Sequence, residues 1–109
     1  EVYPKEGHKD DYLDLAAQLR PHLKAIDGFI SVERFQSITD PKKMLSLSFW
    51  RDEEAIKNWR RLEPHREAQH QGRTSIFDDY RLRIAGVIRD YDMTEREEAP
   101  QDSRDAHDT

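Results

Sequence analysis

Seven consecutive residues, Met44–Trp50 (MLSLSFW), carry no charge in a chain whose residues are 38% Asp, Glu, Lys or Arg. Read with Lys43 as a strand, the segment places Leu45, Leu47 and Phe49 on one face and Met44, Ser46, Ser48 and Trp50 on the other. A sheet that shows one side to water normally alternates apolar with charged or strongly polar residues. Neither face does so here, so both call for cover. A chain of 109 residues supports one domain with a modest core. One layer of helices covers one side of such a sheet, and the other side needs a partner. A second copy of the chain is the simplest one.

The flanking segments supply the helices. From Gly7, the residues Tyr12, Leu15, Ala16, Leu19, Leu23 and Ile26 recur at helical spacing. Pro21 lies inside that pattern and removes a backbone donor, which predicts a kink or local break. Asp27-Gly28 stops the helix, with glycine free to take the left-handed conformation. Phe29–Ser37 reads as a strand of alternating character, and Thr39-Asp40-Pro41 as the turn into Lys43–Trp50. Asp52 is suited to cap a second helix, with Glu53 and Glu54 at its positive end and Ala55, Ile56, Trp59 and Leu62 as its apolar stripe. Pro64 begins a short helix from about His65 to Gln71, which ends at Gly72. Ile76-Phe77 follow, then a long strand Tyr80–Tyr91 (YRLRIAGVIRDY) in which Gly86 marks a bulge or a close approach. Glu1–Pro4 reads as the end of a strand. The order is therefore β-α-β-β-α-β with a helical interruption, a ferredoxin-like α+β sandwich. Residues 1–91 form the domain, and residues 92–109 form an acidic polar tail with too little apolar surface for a core.

Charge narrows the choice of partners. Residues 1–91 hold sixteen basic and sixteen acidic side chains, so the net charge of −5 belongs to the tail. With no basic excess in the body, nucleic acid is not an expected partner. The absence of cysteine excludes disulfides, zinc-thiolate sites and a thiol nucleophile. No apolar run approaches a membrane span and no signal-peptide pattern is present, which predicts a soluble cytoplasmic protein with no membrane partner.

The segments GFISVERFQS, LSLSFWRDEEAIKNWRRLEPHREAQHQGR and YRLRIAGVIRDY resemble the antibiotic biosynthesis monooxygenase family, and the likeness extends over residues 1–91. It implies a homodimer in which two sheets face each other as a dimeric α+β barrel. It also implies a small-molecule pocket between sheet and helices in each subunit, and a first strand that begins before Glu1. One branch of the family oxidises phenolic polyketides to quinones with no metal or organic cofactor, in a pocket lined by a Trp and, six residues later, a Tyr. Trp59 and His65 have that spacing here. A heme-degrading branch uses an Asn on the first strand, a Trp on the second helix and an axial His. Trp59 matches its Trp, Gln69 falls at the axial position after Glu67-Ala68, and His70 is displaced from it by about 100° around a helix.

Two sets of candidates follow. Under the cofactor-independent reading, Trp59 shapes the pocket and His65 moves a proton, since imidazole titrates near neutrality. Trp50, Phe77 and Arg83 would join them around a compact aromatic or enolisable substrate. Under the heme alternative, His70 or His65 would bind the iron. A third reading is a non-catalytic dimeric metabolite-binding or stress-response protein. Each residue also has a structural account. Trp59 would fill core, Trp50 would serve as core or dimer contact, and His65 would be a helix-start histidine. Arg81, Arg83 and Arg89 would pair with acids at a sheet edge. His65 and His70 are five residues apart and do not share a helical face as an i, i+4 metal pair does, so no metal site is expected.

Overall fold

The stripe on the first helix and the alternation in the strands define how the layers meet. The computed structural model describes residues 1–62, 66–68, 70 and 75–105. Its elements are β1 (Val2–Pro4), α1 (Lys9–Lys24), β2 (Phe29–Gln36), β3 (Met44–Trp50), α2 (Glu53–Arg60), β4 (Phe77–Tyr80) and α3 (Gln101–Asp105). The four strands form one antiparallel sheet in the order β2-β3-β1-β4. With β1 between β3 and β4, this is the ferredoxin-like arrangement that the element order predicts. The sheet is open, with β2 and β4 at its edges.

Alternation along β3 separates two environments. Met44 is buried with Tyr12 of α1 and Ile76, and Val2, Leu13, Leu15 and Phe77 pack against that cluster. On the reverse side Leu45, Leu47 and Phe49, with Phe35 opposite Leu45, remain between 40% and 45% exposed. A single chain thus covers one face of its central strand and leaves the other to water.

Two junctions hold the helices in place. Asp52 caps α2, its Oδ1 accepting the Ala55 N–H at 3.0 Å. That bond, and then the neighbouring Arg51, hold the Asp52 carboxyl below the usual range. Arg51 reaches back to Asp27 and across to Asp52, and its N–H donates to the Gly28 carbonyl at 2.7 Å. The turn after α1 is thereby joined to the start of α2. Gly28 has φ +93°, and a Cβ there would lie 2.8 Å from the Ala55 Cβ. Both the backbone conformation and the close helix approach require glycine.

Two expectations change. Helix α1 runs without interruption from Lys9 through Pro21 to Lys24, so Pro21 does not break it. The position is exposed, where water can take the hydrogen bond that the missing donor leaves open. Secondly, the final strand is Phe77–Tyr80, not Tyr80–Tyr91. Pairing continues to Arg81, whose N–H donates to the Glu1 carbonyl at 2.8 Å. Residues 82–91 are in no ladder, and Leu82, Val87 and Ile88 are 66% to 91% exposed. Their side chains favour extended backbone, but a strand also needs neighbouring donors and acceptors. Within the tail, the described residues 92–105 carry local order of their own. Asp92 Oδ1 accepts the N–H groups of Thr94 and Glu95 at 2.8 and 2.6 Å, Arg96 lies 5.2 Å from the Tyr91 ring centroid, and Ala99 is buried. The expected helix from His65 to Gln71 falls partly outside the described residues; 66–68 and 70 are helical. The radius of gyration is 17.2 Å, against about 13 Å for a typical compact chain of this length.

Gly28→Ala should destabilise the fold by about 1–3 kcal/mol, combining a left-handed backbone with contact against a buried helix residue. Urea unfolding would measure this, and a midpoint equal to the parent's would show that the corner can open at no cost.

Candidate functional site

On the helix-facing side of the sheet, β2 and β3 present Val32 opposite Ser48 and Arg34 opposite Ser46. Arg34 is half-buried, unusual for a charged residue pointing between layers. Tyr12 fixes it. The Arg34 Nε donates to the Tyr12 hydroxyl at 3.1 Å, and the guanidinium carbon lies 5.7 Å from the ring centroid. The Tyr12 ring is itself buried and meets Phe77 edge-on, with centroids 5.5 Å apart. Between α1 and β2 lies a cleft of about 330 Å³, lined by Leu13, Ala16, Ala17 and Arg20 from one face of the helix and by Arg34 from the strand.

A second cleft, of about 370 Å³, lies at the start of α1. His8, Asp11, Asp14, Leu15, Gln18, Ser75 and Ile76 line it. His8 Nδ1 is 2.9 Å from Asp11 Oδ2, one helical turn on. This pair orients the imidazole but leaves it 41% exposed, at a site rimmed by two carboxylates.

The candidates named from sequence are spread over the molecule. Trp59 is half-buried on α2. Trp50, also half-buried, ends β3 with its Nε1 donating to Ser48 Oγ at 2.8 Å and its ring edge-on to Phe29 at 5.3 Å. Phe77 packs on the core between Tyr12 and Tyr80. Arg83 is exposed and paired with Glu1, which Lys43 also contacts. His70 is exposed. His65 and Gln69 lie outside the described residues. None of Trp50, Trp59, Phe77, Arg83 and His70 lines either cleft. Among the described residues, no group of three or more His, Asp or Glu is placed to hold a metal ion. No helix among them is long and apolar enough to cross a membrane.

Sequence reading overlooked Tyr12 and Arg34 as a pair because twenty-two positions separate them. A signal was present: Arg34 shares strand parity with Val32, on the side that β3 buries through Met44.

The layers and strand order define a ferredoxin-like α+β protein, and the fold is shared with solved structures. Protein SO0527 from Shewanella oneidensis superposes with a TM-score of 0.64 at 19% identity, over 72% of this chain and 76% of that one. PA3566 from Pseudomonas aeruginosa gives 0.60 at 17% identity, over 75% and 88%. The antibiotic biosynthesis monooxygenase family model matches residues 1–71, and the chain belongs to that family. It is also 45% identical over 87 residues to a protein of Pyricularia oryzae named jasmonate monooxygenase ABM. The match takes in 80% of this chain and 40% of that protein, so the chain spans less than half of the relative's length.

The ion pairs at Glu1 have a pH signature. Hydrogen bonds from Lys43 and then Arg83 lower the Glu1 pKa from 4.5 to about 2. A carboxylate with a depressed folded-state pKa contributes stability above its unfolded pKa and loses it as pH falls toward the folded value. The melting-temperature difference between the parent and Glu1→Gln should therefore be full above about pH 5 and close as pH approaches 2. A difference independent of pH across that window would remove the assignment.

Proposed function

We propose that the chain is a monooxygenase domain acting on a small aromatic or enolisable molecule held between the sheet and the helices, with no metal or organic cofactor. The observation that carries this reading is the 45% identity to a jasmonate monooxygenase over most of the chain, within a family of monooxygenases. The cleft beneath α1 supports it, since about 330 Å³ suits a compact organic molecule. In the simplest chemistry of this kind a phenol and O₂ give a quinone and water. One oxygen atom enters the ring, the other leaves as water, and the substrate supplies all four electrons. The protein then needs only to exclude water, orient the ring and accept the phenolic proton. His65 is our candidate for the proton; Trp59, Trp50, Phe77 and Arg83 line neither cleft, so only a substrate that reaches beyond the cleft would meet Trp59 as a wall.

The active form in this proposal is a homodimer. Phe35, Leu45, Leu47 and Phe49 make an apolar patch on the uncovered sheet face, and a second copy would bury it as a dimeric barrel. Light scattering at micromolar concentration should report a dimer, and Leu47→Glu should convert it to a monomer. A monomeric parent removes this part of the proposal.

Oxygen uptake should be measured with simple phenols alone, and with jasmonate in the presence of an added two-electron reductant, in chelated and heme-free buffer. The parent should consume oxygen, His65→Ala should slow it by about 100-fold or more, as expected for loss of a general acid-base group, and Trp59→Phe should slow it by a smaller, measurable factor. Uptake unchanged by both substitutions removes the residue roles. A stoichiometric heme complex with a sharp Soret band, lost in His70→Ala, would replace this reading with heme chemistry.

A further inference from the structure

Arg34 and Arg20 differ from the other arginines near the sheet. Arg51 is held by Asp27 and Asp52, and Arg83 by Glu1. Among the described residues neither Arg34 nor Arg20 meets a carboxylate within ion-pair distance, although both line the same cleft. A half-buried cation without a counter-ion costs stability, because partial desolvation is uncompensated. Tyr12 hydrogen-bonds one guanidinium nitrogen, Nε, and leaves the two terminal nitrogens without a partner among the described residues. Those two nitrogens present the parallel donors that match the two oxygens of a carboxylate.

We propose that the α1–β2 cleft binds the carboxylate of a small organic acid, with Arg34 as the two-pronged receptor and Arg20 as a second cation at the mouth. Leu13, Ala16 and Ala17 supply an aliphatic wall for the acid's carbon skeleton, which favours an organic acid over inorganic phosphate. Tyr12 acts as a positioning residue. Its ring is locked by Phe77 and the core, so its hydroxyl holds the guanidinium plane in one orientation before ligand arrives. The proposal deepens the oxygenase reading by giving its substrate an acidic group. It rests on that reading only for the cleft's role in turnover.

Binding is separable from turnover and can be measured by amide-resolved NMR titration of the full chain. Cyclohexylacetate is the acid probe, cyclohexylacetamide its neutral counterpart, and inorganic phosphate the control anion. The acid should saturably shift the amides of residues 13–20 and 34 and bind at least about tenfold more tightly than the amide or phosphate, as expected for a charge-assisted bidentate contact. Arg34→Gln should lose about tenfold in acid affinity while leaving amide affinity unchanged, and Arg34→Lys should recover part of the loss. Tyr12→Phe, which keeps the ring and removes the hydroxyl, should narrow the preference for acid over amide. Equal affinity of the parent for acid and amide would overturn the proposal without any variant, as would shifts centred on His8 and Ser75 or a phosphate affinity equal to the acid's. If the acid binds in this way but no substrate drives oxygen uptake, the oxygenase reading fails and the site stands. If phenols drive uptake while the acid does not bind, the site fails and the oxygenase reading stands.

Discussion

The layers of this protein meet through one side chain. Tyr12 is buried in the face of α1 that lies on the sheet, packs with Met44 of β3 and Ile76, and meets Phe77 of β4 edge-on. Burying an aromatic ring of this size contributes on the order of 2–3 kcal/mol. Its hydroxyl cannot be left dry without cost, and the Arg34 Nε satisfies it. One residue therefore couples the helix to both edge strands of the sheet and sets the direction of a charged group. In a domain with few fully buried side chains, a contact that serves packing and polarity together matters more than it would in a large core.

A contrast among the arginines follows from where each sits. Arg51 and Arg83 lie at corners with carboxylates beside them, and they act as fasteners: Arg51 joins the turn after α1 to the cap of α2, and Arg83 ties the segment after β4 back to Glu1. Arg34 faces inward across from Ser46 and has a phenol for company. The same residue type closes the fold in two places and leaves it chemically open in a third. Among the described residues, separation by environment leaves Arg34 and Arg20 as cations without a carboxylate partner in a domain, residues 1–91, whose charges otherwise balance.

Much of this architecture was legible in the residues. Hydrophobic spacing located α1 and α2, Asp52 announced its own cap, and alternation in Phe29–Gln36 and Met44–Trp50 placed each strand to within a residue at either end. These features depend on contacts a few positions apart. Residues 82–91 misled because their side chains favour extended backbone, whereas a strand is defined by what lies alongside it. Pro21 misled for a related reason: its cost depends on whether the orphaned carbonyl can reach water, which one-dimensional spacing does not reveal. For the candidate site, Trp59 and His65 were reached through family likeness. The Arg34–Tyr12 pair is a product of tertiary folding, visible beforehand only as a charge on the wrong side of a strand.

The acidic tail carries a consequence for how this molecule comes apart. The hydrogen bonds described for it run within residues 89–104: Arg89 to the Glu98 carbonyl, Arg96 to Asp92 and Ser103, and Arg104 to Ala99 and Pro100. A segment with this many hydrogen bonds of its own is one for which local opening, without loss of the sheet, is the expected route of exchange. Its amides then exchange with solvent through small, frequent excursions, and those of β2 and β3 exchange through rare excursions that dismantle the whole domain. Amide exchange that is faster in residues 92–105 than in β2 and β3 would therefore mean that no single unfolding free energy describes the whole chain.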